Sequence, residues 1–404
     1  MNSIDIIVVS WNGKDDTLRA LEAISAQERP RGIGQIRTVL VDNGSSDGTA
    51  EAVRERFPDV LTVRQSSNRG FTGGVAAGID ATSGDAIILV NNDAVPEPGW
   101  LAALTSALAE SDPDVAAVGG LIVDPTGALA DFARGSMTFD GHAFQPGFRY
   151  PLPEVDVPPA GSMILFACGG NMIARRAAWS ALGGFDGDYF AYLEDVDFGW
   201  RAWLAGWRVA WEPAAVVRHR SSATSEKLGS FERGVLFERN ALQTIIKNFD
   251  DERWAAALAP ALLTLLHRTH FYTTRRNQGT WRLTRPNLDE AGSFPPPRDS
   301  LLTRLLRKGG LRRVSRSTVI EDDLTIMQFR ALDWLFRNAD RLMVKRAAVQ
   351  RLRRRSDAEI LERFPLLVVP TYPGDEELMA SPLFRQLVRN LPTRDSTLDQ
   401  IMKR

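Results

Sequence analysis

Three times in the first hundred residues a short apolar run stops in a polar loop. IDIIVV (4–9) meets SWNGKDD, the strand-like run at Thr38–Val41 meets DNGSSDGT (42–49), and Ile87–Val90 meets NND. Continuous apolar runs suit a strand covered on both faces, the environment of a parallel sheet. Helix-period stretches lie among them, Thr17 to Ala26, Ala50–Phe57 and Trp100–Ala109, with further strands expected at Val60–Arg64 and Val115–Val123. Strands alternating with helices predict an α/β domain with a mostly parallel sheet. Ligands of open α/β sheets bind beyond the carboxyl ends of the strands, and that is where each polar loop falls.

A chain of 404 residues leaves room for a second unit. The formal net charge of −1 advertises no polyanionic partner. Its distribution is uneven: the first hundred residues lean acidic, while 301–355 carries about fifteen Lys/Arg against about five Asp/Glu. No recognised reading module accompanies that basic stretch, so no nucleic-acid partner is expected. Cys168 is the single cysteine, which excludes an intramolecular disulfide and a cysteine-based zinc site and fits a reducing compartment. The start MNSIDIIVVSW lacks the basic and long apolar regions of a secretory signal, so a cytoplasmic location is expected. AAALAPALLTLL (255–266) contains Pro260 and is too short to span a bilayer. Residues 124–165, rich in Pro and Gly, read as a loop or lid. Helices are expected at about 226–248, 254–272 and through 301–355, interrupted at Pro295–Pro297 and at Gly309 and Gly310.

The polar residues at these strand ends have definite chemistry. Asp93 can hold a divalent cation that also takes oxygens from a diphosphate, or it can cap the turn before Pro96. Asp42 can accept the N3–H of a pyrimidine ring or build an Asx turn. In NRGFTGG (68–74) the glycines admit a ligand close to the backbone and Arg69 can meet a phosphate; a tight turn is the alternative. The stretch is neither a Walker loop nor GxGxxG. Glu194-Asp195-Val196-Asp197 follows the apolar run Tyr189–Leu193, a setting that raises carboxyl pKa values and favours proton abstraction; it also reads as the acidic first turn of a helix. His219 ends AAVVRH as a metal ligand or a structural residue. Cys168 and the tryptophans at 200, 203, 207 and 211 read as packing groups.

Taken together, VVSWNG, VDNGSSDGT, NRGFTGG, LVNND, GGNMIARRAAWSALGGFD, YLEDVDFGWRAWLAGW and HRSSATS resemble the inverting glycosyltransferases of family 2. The resemblance covers roughly residues 4–248, is most specific over 169–219, and is greatest to bacterial rhamnosyltransferases that build cell-envelope glycans. It implies a GT-A nucleotide-binding fold over 1–248, followed by a helical C-terminal region at 249–404. It implies that Asp195 is the catalytic base with Glu194 orienting it or the acceptor. Asn91-Asn92-Asp93 stands where the family has DxD, with Asn91 replacing the first acid. Asp93 and His219 would contact Mg2+ or Mn2+. Ser10, Asn12, Asp42, Asn68, Arg69, Gly70, Gly73, Gly74, Asn91 and Asn92 would shape the nucleotide-sugar site. The implied donor is a dTDP- or UDP-linked sugar, with rhamnose the first choice, and the acceptor is a glycan or polyprenyl-diphosphate-linked hydroxyl.

The basic segments LLTRLLRKGGLRRVSR (301–316) and MVKRAAVQRLRRR (343–355) suit an anionic membrane surface at the inner face of the cell membrane, or a homo-oligomer contact. Two other functions compete. A catalytically silent nucleotide- or glycan-binding module need not keep NND, the Glu-Asp pair and His219 together. A sugar-1-phosphate nucleotidyltransferase would carry a glycine-rich N-terminal loop, where this chain has SWNGKDD.

Overall fold

The computed structural model describes residues 1–220, 228–276 and 323–402. The basic segment 301–316, the breaks at 295–297 and 309–310, and residues 221–225 of HRSSATS lie outside the described residues. The first half alternates as the apolar runs require: β1 (Ser3–Ser10), α1 (Lys14–Ser25), β2 (Gln35–Asp42), α2 (Thr49–Arg56), β3 (Leu61–Arg64), α3 (Gly70–Asp80) and β4 (Ala86–Asn91). There follow β5 (Ala94–Pro96), α4 (Trp100–Glu110), β6 (Val115–Val123), β7 (Ala130–Phe132), β8 (Ser136–Met137) and β9 (Ala143–Phe144). Then come β10 (Asn171–Arg175), α5 (Arg176–Leu182), α6 (Glu194–Leu204), β11 (Arg208–His219), α7 (Ser230–Asn248) and α8 (Asp251–Arg276). This is a GT-A-type mixed α/β architecture, mostly parallel, with a helical C-terminal region.

The sheet runs β3-β2-β1-β4-β10-β6-β11-β5, with β7 on β6. β1 pairs in parallel with β2 and β4, and β10 runs antiparallel between β4 and β6. Every residue from Ala86 to Val90 is at most 1 % exposed, which explains why β4 is apolar without alternation. Burying each such Ile, Leu or Val contributes roughly 1.5–3 kcal/mol. The chain turns outward from β1 to β2 and β3, then returns to β4, so β1 and β4 flank a topological switch point. Register brings the strand ends level there: Ser10 lies opposite Asp42, and Val9 opposite Asn91. The ligand edge read from the sequence is thus a physical edge.

Two glycines allow α3 to lie close over this edge. Gly74 has no room for a side chain, since a Cβ would sit 2.4 Å from Val9 Cγ1. Gly70 has φ +73°, and a Cβ there would meet the Phe190 carbonyl at 2.3 Å. α1 begins at Lys14, earlier than its apolar period suggests, because Asp47 Oδ2, from the loop after β2, accepts the Lys14 N–H at 3.0 Å. That cap is non-local and invisible in the local pattern.

Residues 124–165 are not an open lid. Ala130–Ala133 and Met137–Gly141 are buried, and β7 pairs with β6 as part of the main sheet. In the C-terminal region, the helix Asp323–Arg337 packs on α7 and α8, and the helix Ala339–Leu352 packs on α7 and α6. The basic run 343–355 is largely engaged inside the molecule. Arg346 donates to the Ile246 carbonyl at 2.6 Å and the Phe249 carbonyl, Arg353 pairs with Asp357 at 2.7 Å, and Arg355 donates to the Trp207 and Gly206 carbonyls at 2.6 and 2.9 Å. Cationic side chains at the ends of α6 and α7 satisfy carbonyls that have no helical partner. Phe336, Met343 and Val344 remain exposed beside them. Among the described residues no helix is long and apolar enough to cross a membrane.

Candidate active site

A cavity of about 500 Å3 opens at the ligand edge, between the ends of β1, β4 and β11 and the start of α6. Its polar lining includes Asn43, Asn68, Asn91, Asn92, Asp93, Asp131, Glu194, Asp195 and His219. On the side of β2, Asn43 Nδ2 donates to Asn68 Oδ1 at 3.0 Å and to the Gly70 carbonyl at 2.9 Å. Asn68 Oδ1 also accepts the Gly70 N–H at 2.9 Å. The two asparagines therefore lock the start of α3 into a fixed wall. Asp42 stands just behind it. One carboxylate oxygen accepts the Ser45 N–H at 2.9 Å; the other is buried without a hydrogen bond, with Arg64 Nε 3.5 Å away. Asp42 therefore does not line the cavity, and a ligand donor would reach it only if the wall in front of it moved.

Asp93 and His219 meet across the cavity floor, Oδ1 to Nε2 at 3.1 Å, and Asn91 Nδ2 lies 3.4 Å from the same nitrogen. The other ring nitrogen, Nδ1, faces Asp131 Oδ2 at 2.9 Å. Burial lowers the proton affinity of His219, but the hydrogen bonds to Asp131 and Asp93 outweigh it, and its pKa is pushed up to about 10. The imidazole is thus cationic between two carboxylates. Among the described residues no three His, Cys, Asp or Glu side chains converge as a closed metal cage. One carboxylate and one imidazole still fit Mg2+ or Mn2+, which retain waters and take substrate phosphate oxygens. With a cation at Nε2, Asp131 would keep the Nδ1–H and so fix the tautomer, the usual outer-shell role of a carboxylate.

The opposite wall carries Glu194 and Asp195 at the first turn of α6. Asp195 accepts the Val196 N–H at 2.8 Å and the Gly169 N–H at 3.3 Å, and the Cys168 thiol also hydrogen-bonds to it. Burial pushes the Asp195 carboxyl up to about 6. Burial and the neighbouring Asp195 charge raise Glu194 well above the usual range, and its Oε2 is buried with no hydrogen bond. Asp197 behaves differently. It is held as a charged group by Arg201 and Lys247, each at 2.7 Å, and serves the core. Of the three acids, two face the cavity and one fastens α6 to α7.

The approach to these carboxylates is strained. Phe190, Tyr192 and Leu193 all have positive φ, at 64°, 71° and 63°. Phe190 is the centre of a positive-φ γ-turn, with Ala191 N–H donated to the Tyr189 carbonyl at 2.7 Å. Each left-handed non-glycine residue costs roughly 1–3 kcal/mol and persists only when its surroundings hold it.

The structure brings together Asn68, Gly70, Asn91, Asn92, Asp93, Glu194, Asp195 and His219 around one cavity. It places the remaining sequence candidates one layer away. Ser10 is buried and bonded to Thr17 Oγ1 at 2.8 Å, so it ties β1 to α1. Asn12 accepts the Ser46 N–H at 2.8 Å and props the loop after β2. Arg69 is exposed and directed to Gln65, a Cβ at Gly73 would meet Arg69, and Gly74 is a packing contact on β1. Sequence reasoning missed Asn43 and Asp131. Asn43 was hidden in a turn motif. Asp131 sat in a segment read as a loop, although an acid inside the apolar run ALADF (128–132) was a usable signal.

A family profile described as glycosyltransferase like family 2 matches residues 2–233. The N-acetylglucosaminyl-diphospho-decaprenol L-rhamnosyltransferase of Mycobacterium tuberculosis is 32 % identical over 244 residues, covering 54 % of this chain and 76 % of that protein. The O-antigen biosynthesis protein RfbC of Myxococcus xanthus is 29 % identical over 231 residues, 54 % of this chain and 17 % of that protein. A mannosyltransferase of Pyrobaculum calidifontis, solved with GDP-Man and Mn2+, superposes with a TM-score of 0.47 at 20 % identity, over 83 % of this chain and 86 % of that one.

Proposed function

The chain belongs to the glycosyltransferase-like family 2 and is a glycosyltransferase; we propose that it is an inverting, metal-dependent one. In this reading it moves a sugar, rhamnose first, from a dTDP- or UDP-linked donor to a hydroxyl of a glycan or polyprenyl-diphosphate-linked acceptor in cell-envelope polysaccharide synthesis. The L-rhamnosyltransferase activity of the mycobacterial relative supports rhamnose and a polyprenyl-linked acceptor. The observation that carries the reading is the pairing of two unlike carboxylate systems on one cavity: Asp93 with His219, and Asp195 with Glu194.

The chemistry follows from their settings. An acceptor hydroxyl is a poor nucleophile at neutral pH. Asp195, with its carboxyl lifted to about 6, is ionised there yet basic enough to take the hydroxyl proton during attack on the anomeric carbon. Attack from the face opposite the nucleotide inverts the configuration, through a transition state of oxocarbenium character. Glu194 stays protonated to higher pH and can donate a hydrogen bond to Asp195 or to the acceptor. Asp42 would accept the pyrimidine N3–H once the wall of Asn43, Asn68 and α3 in front of it moves. Asp93 and His219 would hold Mg2+ or Mn2+, which supplies positive charge for the departing nucleoside diphosphate.

The test is a thermal-shift panel of UDP, dTDP, GDP and ADP, each with and without Mn2+, on wild type and Asp93→Ala. A ligand bound only by the folded state raises Tm by mass action. The expected result is a Mn2+-enhanced shift with a pyrimidine nucleotide that Asp93→Ala loses, and release of nucleoside diphosphate on turnover. No shift with any nucleotide would favour a silent module, and release of pyrophosphate a nucleotidyltransferase.

A further inference from the structure

The segment Tyr189–Leu193 enters α6 by a path that its own residues disfavour, so something outside it must hold the path. The holder on the cavity's far side is α7. Asn240, fully buried, points its Nδ2 at three main-chain carbonyls of the segment: Tyr189 at 3.1 Å, Ala191 at 2.9 Å and Tyr192 at 2.7 Å. Its Oδ1 accepts from Gln243 Nε2 at 2.7 Å and Arg239 Nε at 3.2 Å, which fixes the amide with its nitrogen toward the loop. Of the other two carbonyls, that of Phe190 accepts the Thr72 N–H at 3.1 Å from the start of α3, and that of Leu193 accepts the Asp197 N–H at 3.0 Å within α6. Arg239 Nη2 adds bonds to the Asp188 and Tyr189 carbonyls at 2.8 and 3.2 Å, but the Ala191 and Tyr192 carbonyls are held from α7 by Asn240, so the segment is pinned between the proposed nucleotide wall and this pair.

The docking of α7 does not depend on Asn240. Tyr189 Oη bonds Thr244 Oγ1 at 2.6 Å, Lys247 pairs with Asp186 and Asp197 at 2.7 Å each, and Asn248 Nδ2 donates to Asp197 at 2.9 Å. Those contacts hold side chains and helix bodies. Asn240 alone among them addresses the backbone of the left-handed residues that immediately precede Glu194 and Asp195.

We propose that Asn240 is a positioning residue for sugar transfer: its amide maintains the left-handed path of 189–193 and thereby sets Asp195 on the cavity wall. The proposal rests on reading Asp195 as the base. Asn240→Leu removes the donors at similar volume. Asn240→Asp replaces them with acceptors that repel the three carbonyls. Displacing a base by about 1 Å lowers turnover on the order of 100-fold, so both variants are expected to lose about that in kcat. Their affinity for the nucleoside diphosphate with Mn2+ is expected to stay within about threefold, and amide exchange across 189–197 to accelerate at least about tenfold while β1 and β4 stay protected. Thr244→Val, a control on the same helix, lowers Tm with kcat within about threefold.

Retained kcat in both Asn240 variants overturns the proposal. So does an equal loss of kcat and nucleotide affinity, unchanged exchange in 189–197, the same kcat loss in Thr244→Val, or failure of both Asn240 variants to fold. Full transfer by Asp195→Asn would instead sink the base reading, and the exchange data, which need no activity, would then judge Asn240 by themselves.

Discussion

Replacing Asp195 by asparagine should make the protein more stable and nearly inactive, and the gain in stability should depend on pH. Burial raises the Asp195 carboxyl from its usual 3.8 to about 6. The folded protein thus binds this proton more tightly than the unfolded chain does. The group's contribution is most favourable below about pH 4 and is lost as pH rises toward 6. Above that the ionised carboxylate costs about 3 kcal/mol, two pK units at about 1.4 kcal/mol each. Asparagine escapes this cost but turns one acceptor into a donor. The weaker of the two backbone bonds, Gly169 N–H at 3.3 Å, would be given up for about 1 kcal/mol. The net is about 2 kcal/mol of stabilisation at pH 7.5 and about 1 kcal/mol of destabilisation near pH 4. Loss of the Asp195 charge also relieves Glu194, which adds in the same direction at neutral pH. Thermal unfolding of both proteins from pH 4 to 8 reads the crossing; a Tm higher by a few degrees at pH 7.5 is expected. Transfer should fall at least about 100-fold, the usual scale of a general base. A variant no more stable than wild type at pH 7.5 would refute the burial argument, and one that still transfers sugar would refute the base assignment.

Three further outcomes follow from the same geometry. In wild type, kcat/KM should fall about tenfold between pH 7 and pH 5, as Asp195 with its pKa of about 6 goes from mostly ionised to mostly protonated; a flat profile in rate assays over that range counts against it. Asp131→Asn removes the carboxylate behind His219 and should weaken Mn2+ affinity about 10–100-fold, read by titrating Mn2+ against the nucleotide-dependent Tm shift. Gly74→Ala places a Cβ 2.4 Å from Val9 Cγ1 and should cost about 1–3 kcal/mol, seen as a lower denaturant midpoint with unchanged nucleotide affinity per folded molecule.

The middle of the sheet was legible because β4 and β6 are buried on both faces and so read as unbroken apolar runs. β6 spans Val115–Val123, and β4 extends the expected Ile87–Val90 by one residue at each end. The strand ends were legible too, since polar residues that close a buried strand need partners, and Asn91, Asp93 and His219 share them. Helix starts were less so, because Lys14 is capped from the loop after β2 rather than from its own neighbours. The division between residues that line the cavity and residues that stand behind it was not legible. Gly74 shares NRGFTGG with Gly70, and Ser10 and Asn12 follow an apolar run just as Asn43 and Asn92 do, so only three-dimensional packing separates the two groups. Likewise 124–165 looks like a loop by its prolines and glycines, and much of it is irregular, yet Ala130–Ala133 and Met137–Gly141 are buried and Ala130–Phe132 pairs with β6.

The two carboxylate systems explain why one cavity needs so much of the chain. Asp93 and Asp131 flank His219 at 3.1 and 2.9 Å, and that side would hold a divalent cation for a charged diphosphate. Asp195 is raised by burial and Glu194 by burial and the Asp195 charge, and in the proposed reading that side receives the proton. Placing both within one 500 Å3 space requires that their environments not mix. The sheet holds the first pair rigidly at strand ends. The second pair stands on a helix start reached through three left-handed residues, and α3 supplies part of its support, through the Thr72 N–H on the Phe190 carbonyl. More comes from Asn240 and Arg239 on α7 and from Lys345, which reaches Asp186 and Asp188 from the helix Ala339–Leu352. The helical region is thereby joined to the segment that carries the proposed base, and a perturbation of its packing should register first in turnover rather than in nucleotide binding.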